Sequence, residues 1–425
     1  MPAPRSDPSY RALLAVPSLA RIIAGMQIAR IAQSMVGVAI VLFTLTAYHS
    51  AELAGAVTFV AIVPGMLVSP VAGALLDRHG RARLVLLDYA VAGASLALIG
   101  GLALAGALPV WALLLIAGVS SLTAPLSSTG LRSLFPLLVP VPLWERINAV
   151  DSMGYVVATI VGPPLAGVVV GLWGGPVALV TIAVAYLAAA VVLIGIPDPR
   201  TDVVSTGRLL VDAWQGLVYT WRNPTLRALG FSISALNLSG GVTTIVVPLI
   251  VLDVLHMGSE TVGGVFAVMG VGGAVAALIF GRMKSEGLER RMLVLPMLAS
   301  AAVLLLLLPG QLAPMALSMT LVGLLNGPMD IALFTLRQRR TDPAWMGRAF
   351  AVSMNFNFAG FPIGSAIAGW LASRTIEGAI LFGAGACVLA AVIAARGIPA
   401  AAGEGPTIAD AATLGVPREG AGAAK

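Results

Sequence analysis

Residues Gly73 to Arg83 read GALLDRHGRAR, which puts one carboxylate and three guanidiniums in the short gap between two long apolar segments. The apolar run ending at Leu76 has the length of a membrane span, so Asp77 is expected where that helix leaves the lipid, with Arg78, Arg81 and Arg83 in the loop beyond it. Gly80 supplies the tight turn that so short a connection demands. Composition extends this reading to the whole chain. Hydrophobic residues make up 58% of the 425 positions and charged residues 10%, where a soluble globular protein carries about 25% charged residues. Most of the chain therefore has no water to face, and its length accommodates roughly twelve spans of ~20 residues with short loops.

The expected fold class is an all-α integral membrane protein of twelve transmembrane helices in two pseudo-symmetric six-helix bundles. Spans are expected over 19–47, 53–76, 84–105, 110–129, 147–171 and 177–196 in the first half, and over 226–252, 262–281, 292–308, 314–335, 349–372 and 378–395 in the second. The chain divides into an amino-terminal tail (1–17), a first bundle (18–196), a central linker (197–224), a second bundle (225–396) and a tail rich in Ala, Gly and Pro (397–425) that reads as disordered. Within the linker, Leu210, Trp214, Leu217 and Trp221 recur at helical spacing opposite Arg208, Asp212 and Gln215. Two placements fit that helix equally: lying on the inner membrane surface, or packed against the mouth of the bundle.

Basic residues set the orientation. Arg78, Arg81, Arg132, Arg146, Arg200, Arg208, Arg222, Arg282, Lys284, Arg290, Arg337, Arg340 and Arg348 all fall on one side of this topology, and the opposite side has Arg374 alone. By the positive-inside rule both termini are cytoplasmic. The net charge of +6 is thus spread over loops for orientation and does not mark a nucleic-acid partner.

The halves repeat each other. Pro125 recurs as Pro328 203 residues on, while Arg146, Gly162 and Ala166-Gly167 recur as Arg348, Gly364 and Ala368-Gly369 at 202. Glu52, Gly55 and Gly73 recur as Glu260, Gly263 and Gly281 at 208. Such duplication is a common transporter plan, with the substrate site between the halves near the membrane midplane.

The loop stretch resembles the cytoplasmic motif between helices 2 and 3 of the major facilitator superfamily, with Gly73, Asp77, Arg78, Gly80 and Arg81 on matching positions; Ala82 stands where the family has a second basic residue, and Arg83 follows one place late. In the fifth span, Gly162-Pro163 with Ala166-Gly167 resembles the antiporter motif G-x-x-x-G-P-x-x-G-G, two of whose glycines are alanines here. Gly154, Ala158, Gly162 and Ala166 share one helical face, which lets a facing helix approach closely. The stretch from Leu131 to Gly167, with Arg146 and Asn148, looks like macrolide or siderophore efflux permeases. The resemblance implies a gate at Asp77, opposite the start of the eleventh span near Arg348, and export against protons.

Polar residues at membrane depth are candidates for the wall of a substrate or coupling cavity: Gln27, Arg30 and Gln33 on the first span, Asn237 on the seventh, Asn326 and Asp330 on the tenth, and Asn355 and Asn357 on the eleventh. A charge near the bilayer centre costs about 2.5–3.5 kcal/mol on insertion scales, so Arg30 is expected to find a partner across the cavity, Asp330 being the first candidate. Asp88 and Asp151 are expected to pair with arginines of the inner loops. The fourth span, read as ending at Thr129, contains no arginine.

No G-x-x-x-x-G-K-[ST], H-E-x-x-H or G-x-S-x-G stretch occurs, which speaks against ATP-driven transport and against hydrolytic or metal-dependent catalysis. Cys387 is the single cysteine, and His49, His79 and His256 stand apart at segment ends, so neither a disulfide nor a metal site is expected. No cofactor is expected. The expected protein is a monomeric secondary transporter of the cell membrane with a small-molecule substrate, exchanging small, largely apolar compounds against protons. The alternatives are a metabolite importer of the same superfamily and a sensor or lipid scramblase built on the same scaffold.

Overall fold

The computed structural model describes residues 9–198, 209–281, 286–342 and 345–399. The side chains of Asp77 and Arg348, together with Arg200, Arg208, Arg282, Lys284 and most of both tails, lie outside the described residues.

The described regular structure is entirely helical. The first half contains α1 (Leu19–Tyr48), α2 (Ala51–Val60 then Val63–His79), α3 (Arg81–Leu104), α4 (Val110–Ser121 then Ala124–Leu138), α5 (Trp144–Trp173) and α6 (Gly175–Leu193). After the linker helix (Leu209–Arg222) come α7 (Pro224–Leu249), α8 (Ser259–Phe280), α9 (Glu289–Leu304), α10 (Leu312–Arg339), α11 (Met346–Phe358 then Gly360–Ala372) and α12 (Ile376–Gly397). Among the described residues, eleven helices are long and apolar enough to cross a membrane. The twelfth, α11, is divided into two 13-residue pieces.

Local chemistry sets these boundaries. Ser50, Asn223 and Thr375 each accept a backbone N–H of the first turn that follows, at 3.1, 3.1 and 3.2 Å, which satisfies donors that have no partner within the helix. Three helices break four residues ahead of a proline: α2 at Val60 before Pro64, α4 at Ser121 before Pro125, and α11 at Phe358 before Pro362. A proline ring collides with the carbonyl four residues back and offers no N–H to it, so the helical ladder is interrupted there.

Several helices run further than their apolar stretches. Arg81 and Arg83 belong to the first turn of α3, Arg78 to the last turn of α2, and Gly80 alone makes the reversal at φ 95°. Arg132 lies on α4 and Arg337 on the last turn of α10, contrary to the expectation that both are loop residues and that the fourth span has no arginine. Hydropathy marks only the part of a helix that lipid covers, whereas hydrogen bonding carries the spiral onward into water or into protein.

The two bundles meet most closely on the side of the membrane with few arginines. There α2 packs on α11, and α5 on α8. A Cβ built on Gly55 would lie 2.4 Å from the carbonyl oxygen of Ser365 and 3.2 Å from Gly369 Cα, and one on Gly167 would lie 2.5 Å from the carbonyl oxygen of Ser259 and 3.0 Å from Gly263 Cα. On the arginine-rich side, Asn355 Nδ2 donates to Ser69 Oγ at 3.2 Å, joining α11 to α2.

The linker helix is packed on the bundle, by the face opposite its tryptophans. Tyr219 is buried and stacks on Trp345 with ring centroids 5.0 Å apart, its hydroxyl accepting from the Asp342 N–H at 3.0 Å. Asn223 Nδ2 donates to the Arg340 carbonyl at 2.7 Å. Trp214, Leu217 and Trp221 remain exposed.

Candidate functional site

The helix breaks in α2, α4 and α11 border one cavity of about 330 Å³, with Ala61, Ile62, Ser121, Ala124 and Phe361 in its wall. It lies mainly within the first bundle, between α1, α2, α3 and α4, with Tyr155 of α5, Tyr186 of α6 and Thr244 of α7 completing it. Leu96, Ile99, Val36 and Ile40 make part of the surface apolar, while Ser95, Ser120, Ser121, Ser127 and Ser128 supply hydroxyls. An apolar lining with a few convergent polar groups is the usual character of a small-molecule site.

Arg30 is held from α5. Its guanidinium pairs with the Asp151 carboxylate and donates to the Asp151 carbonyl oxygen at 3.0 Å. The other carboxylate oxygen of Asp151 accepts from Arg132 Nε at 2.8 Å, with Arg132 Nη2 at 2.7 Å. Both guanidiniums lie over the Tyr155 ring, at 3.9 and 4.5 Å from its centroid. Arg30 and Asp151 are 11% and 9% exposed and Arg132 is 45% exposed, so the buried charges are paired, as burial requires. The partner of Arg30 is thus Asp151 of the same bundle and not Asp330. Gly154 makes room for this arrangement, since a Cβ there would lie 2.6 Å from Gln27 Oε1 and 2.8 Å from Arg30 Nη1.

Asp88 departs from expectation in the opposite way. It is 4% exposed and lines the cavity, yet it has no ion pair among the described residues, and its Oδ1 is buried without a hydrogen-bond partner. Thr123 and Ser127 of α4 stand beside its carboxylate. The two arginines of the cavity wall, Arg30 and Arg132, are both turned toward Asp151.

The other candidate residues are dispersed. Gln33 lines the cavity with Arg30, while Gln27 lies behind it against α5 with its Nε2 buried and unpartnered. Asn237 Nδ2 donates to the Asn357 carbonyl at 2.8 Å, tying α7 to α11 inside the second bundle. Asn357 in turn faces Arg337, a fully buried guanidinium whose Nη1 lies 2.8 Å from Met354 Sδ. Asn326 and Asp330 are exposed on α10 and do not line the cavity. In the α5 motif, a Cβ on Gly162 would lie 2.5 Å from Ser34 Cβ of α1, the Pro163 carbonyl approaches Gly263 of α8, Ala166 is fully buried, and Gly167 completes the contact with α8. This motif therefore packs α5 against both bundles.

At the loop, the Ala82 N–H donates to Asp198 Oδ2 at 2.9 Å. A carboxylate from beyond α6 thus caps the first turn of α3, where helix N-terminal N–H groups favour an anion. A Cβ on Gly80 would lie 2.5 Å from that oxygen. Neither Asp198 nor Arg337 was among the sequence candidates. The Gly80 turn itself signals that something must approach closely, but nothing in the sequence says that it is Asp198.

The Major Facilitator Superfamily profile matches residues 22–364 and 228–419. The chain is 37% identical over 399 residues to the "Uncharacterized MFS-type transporter y4rN" of Sinorhizobium fredii, covering 92% of this chain and 97% of that protein. It is 27% identical to the "Multidrug efflux pump Tap" of Mycolicibacterium fortuitum, covering 79% of this chain and 85% of the pump. Among solved structures, the nucleoside transporter NupG superposes with TM-score 0.72 at 12% identity over 89% of this chain and 98% of that one. A bacterial homologue of the iron transporter ferroportin, in an inward-facing state, superposes at 0.68 with 16% identity, covering 88% of this chain and 97% of that one.

Proposed function

The chain belongs to the major facilitator superfamily, and from that premise we propose that it is a proton-coupled exporter of small, largely apolar compounds. It works by alternating access as a monomer in the cell membrane, with both termini and the Gly80 loop cytoplasmic. The observation that carries this reading is the cavity, a partly apolar chamber of about 330 Å³ with a paired charge cluster in its wall. The glycine contacts of α2 with α11 and of α5 with α8 support a closed outer side. A first bundle (18–196) and a second (225–396) then rock about those contacts, with Gly73, Asp77, Arg78, Gly80 and Arg81 as the cytoplasmic gate and Gly162, Pro163, Ala166 and Gly167 as the outer seal. Arg30 and Gln33 face the substrate; Gln27, Asn237, Asn355 and Asn357 hold the surrounding helices in register, and Asn326 and Asp330 border the path toward the cytoplasm.

Inverted membrane vesicles acidified inside, loaded against a panel of apolar and amphiphilic compounds, test this directly. Gradient-dependent accumulation is the expected result, and accumulation instead in right-side-out vesicles would replace export by import. Orientation has its own test in a variant lacking Cys387. Cysteine at His79 should label only from the cytoplasm and cysteine at Ser50 only from outside.

A further inference from the structure

We propose that the cavity takes an organic cation, with its ammonium or iminium group on the Asp88 carboxylate, and that a proton and this cation occupy Asp88 alternately. The proposal rests on the exporter reading and names both its substrate class and its exchange residue.

The charges around Asp88 define what it can bind. Arg30 of α1 and Arg132 of α4 both engage Asp151 of α5, and Tyr155 of α5 lies beneath the two guanidiniums. The other titratable groups in the wall are Tyr186 of α6 and Tyr89, the neighbour of Asp88 on α3; α2 contributes only Thr58, Ala61 and Ile62. No side chain among the described residues therefore supplies a counter-charge to Asp88. With Asp88 ionised, the two arginines of the cavity wall, Asp88 beside them and Asp151 behind them sum to zero. Adding a proton or a monovalent cation brings that sum to one positive charge in either case. Adding both would place a second uncompensated charge in a weakly polarisable space, where desolvation opposes it. Occupancy is thereby exclusive, and exclusive occupancy is what couples the two movements.

Shape agrees with charge. The rings of Tyr89 and Tyr186, with centroids 6.0 Å apart and tilted by 55°, stand in the same wall as Asp88 and offer negative ring faces to a cation. Leu96 and Ile99 continue up α3 about two and three turns beyond Asp88, and Val36 and Ile40 line the same chamber from α1, so an apolar body extends from the charged end toward the closed side. The volume stands at the lower end of the range of ~300–1,000 Å³ typical of small-molecule sites.

Ethidium, a permanent cation whose own charge does not titrate, is a suitable probe for the purified full-length protein in nanodiscs. Its affinity should rise with pH by up to about tenfold per unit below the point where Asp88 ionises, and about one proton should be released per ethidium bound. Asp88→Asn should lower the affinity on the order of tenfold or more and abolish both the pH dependence and the proton release. Asp88→Glu should restore all three. The uncharged ring system phenanthridine, at a pH where it is neutral, should bind without releasing protons. Unchanged ethidium binding or proton release in a folded Asp88→Asn protein would overturn the proposal. Should that variant fail to fold, wild-type binding that is independent of pH and releases no proton would overturn it equally. Proteoliposome transport reads the exporter proposal separately: ethidium binding without any transport counts against export alone, and transport of neutral compounds without ethidium binding counts against the cation site alone.

Discussion

A methyl group added to Gly167 of α5 would stand 3.0 Å from the Cα of Gly263 on α8, and one added to Gly55 of α2 would stand 3.2 Å from the Cα of Gly369 on α11. These are pseudo-equivalent contacts: Gly263 follows Gly55 at 208 positions and Gly369 follows Gly167 at 202. The internal duplication therefore supplies both seams by which the bundles adhere, each half contributing one partner to each seam.

Gly167→Val and Gly55→Val should each pry one seam apart. Overpacking of a tight contact costs about 1–3 kcal/mol, which displaces a two-state population by about 5- to 150-fold. Cysteine at Ser365, fully buried beside Gly55, should react faster with a membrane-impermeant maleimide in Gly55→Val than in its parent. An unchanged rate would show that the seam does not hold the closed state.

Asp151 joins two guanidiniums, so its removal is the most damaging change in the cluster. Asp151→Asn leaves Arg30 with little water and no counter-charge, a loss of about 3–5 kcal/mol, whereas Arg132 is half in solvent and Arg132→Gln should cost about 1 kcal/mol or less. Thermal unfolding in detergent should rank the variants in that order. Equal losses would mean that Arg132, not Arg30, is the principal partner.

Gly80→Ala combines a left-handed backbone with a collision against Asp198 Oδ2. The backbone part should cost about 1 kcal/mol or more, and the collision adds to it. Asp198→Ala removes the collision but also the cap on the Ala82 N–H. The double variant should therefore be more stable than the sum of the single losses predicts, by ~0.5 kcal/mol or more in a double-mutant cycle. Additive losses would show that Asp198 yields freely when the methyl group arrives.

Pro125→Ala should allow α4 to run unbroken through Ser121–Ala124, with stability at or above that of the parent because an interior proline costs ~3 kcal/mol. Ser121 and Ala124 border the cavity at the break, so ethidium affinity should fall while the thermal midpoint holds. Unaltered affinity would detach the break from the site.

The spans were legible because a helix in lipid must be apolar over its whole width, and that requirement is written residue by residue. The helix ends were less so, since α3 begins at Arg81 and α10 continues past Arg337, and the backbone ladder persists after the hydropathy has fallen. Within the site, the depth of Arg30 announced a buried charge, but its partner could not be read. Distance along a helix gives depth, whereas pairing depends on which way each helix faces, and Asp151 and Asp88 lie at similar depth with opposite fates. The three proline breaks were present in the sequence as Pro64, Pro125 and Pro362, yet only their convergence in space makes them the rim of one chamber.

Across the Gly55 and Gly167 seams it is largely main chain that touches main chain, with the Ser365 and Ser259 carbonyls as nearest neighbours. Surfaces of that kind have no interlocking rotamers to release when they part and none to find again when they rejoin. In the proposed alternating cycle, opening demands little repacking at these glycine contacts, which leaves the charged and polar groups elsewhere to set its barrier. Side chains lining the chamber can accordingly be exchanged for others, and the cargo altered, while the closing faces stay as they are.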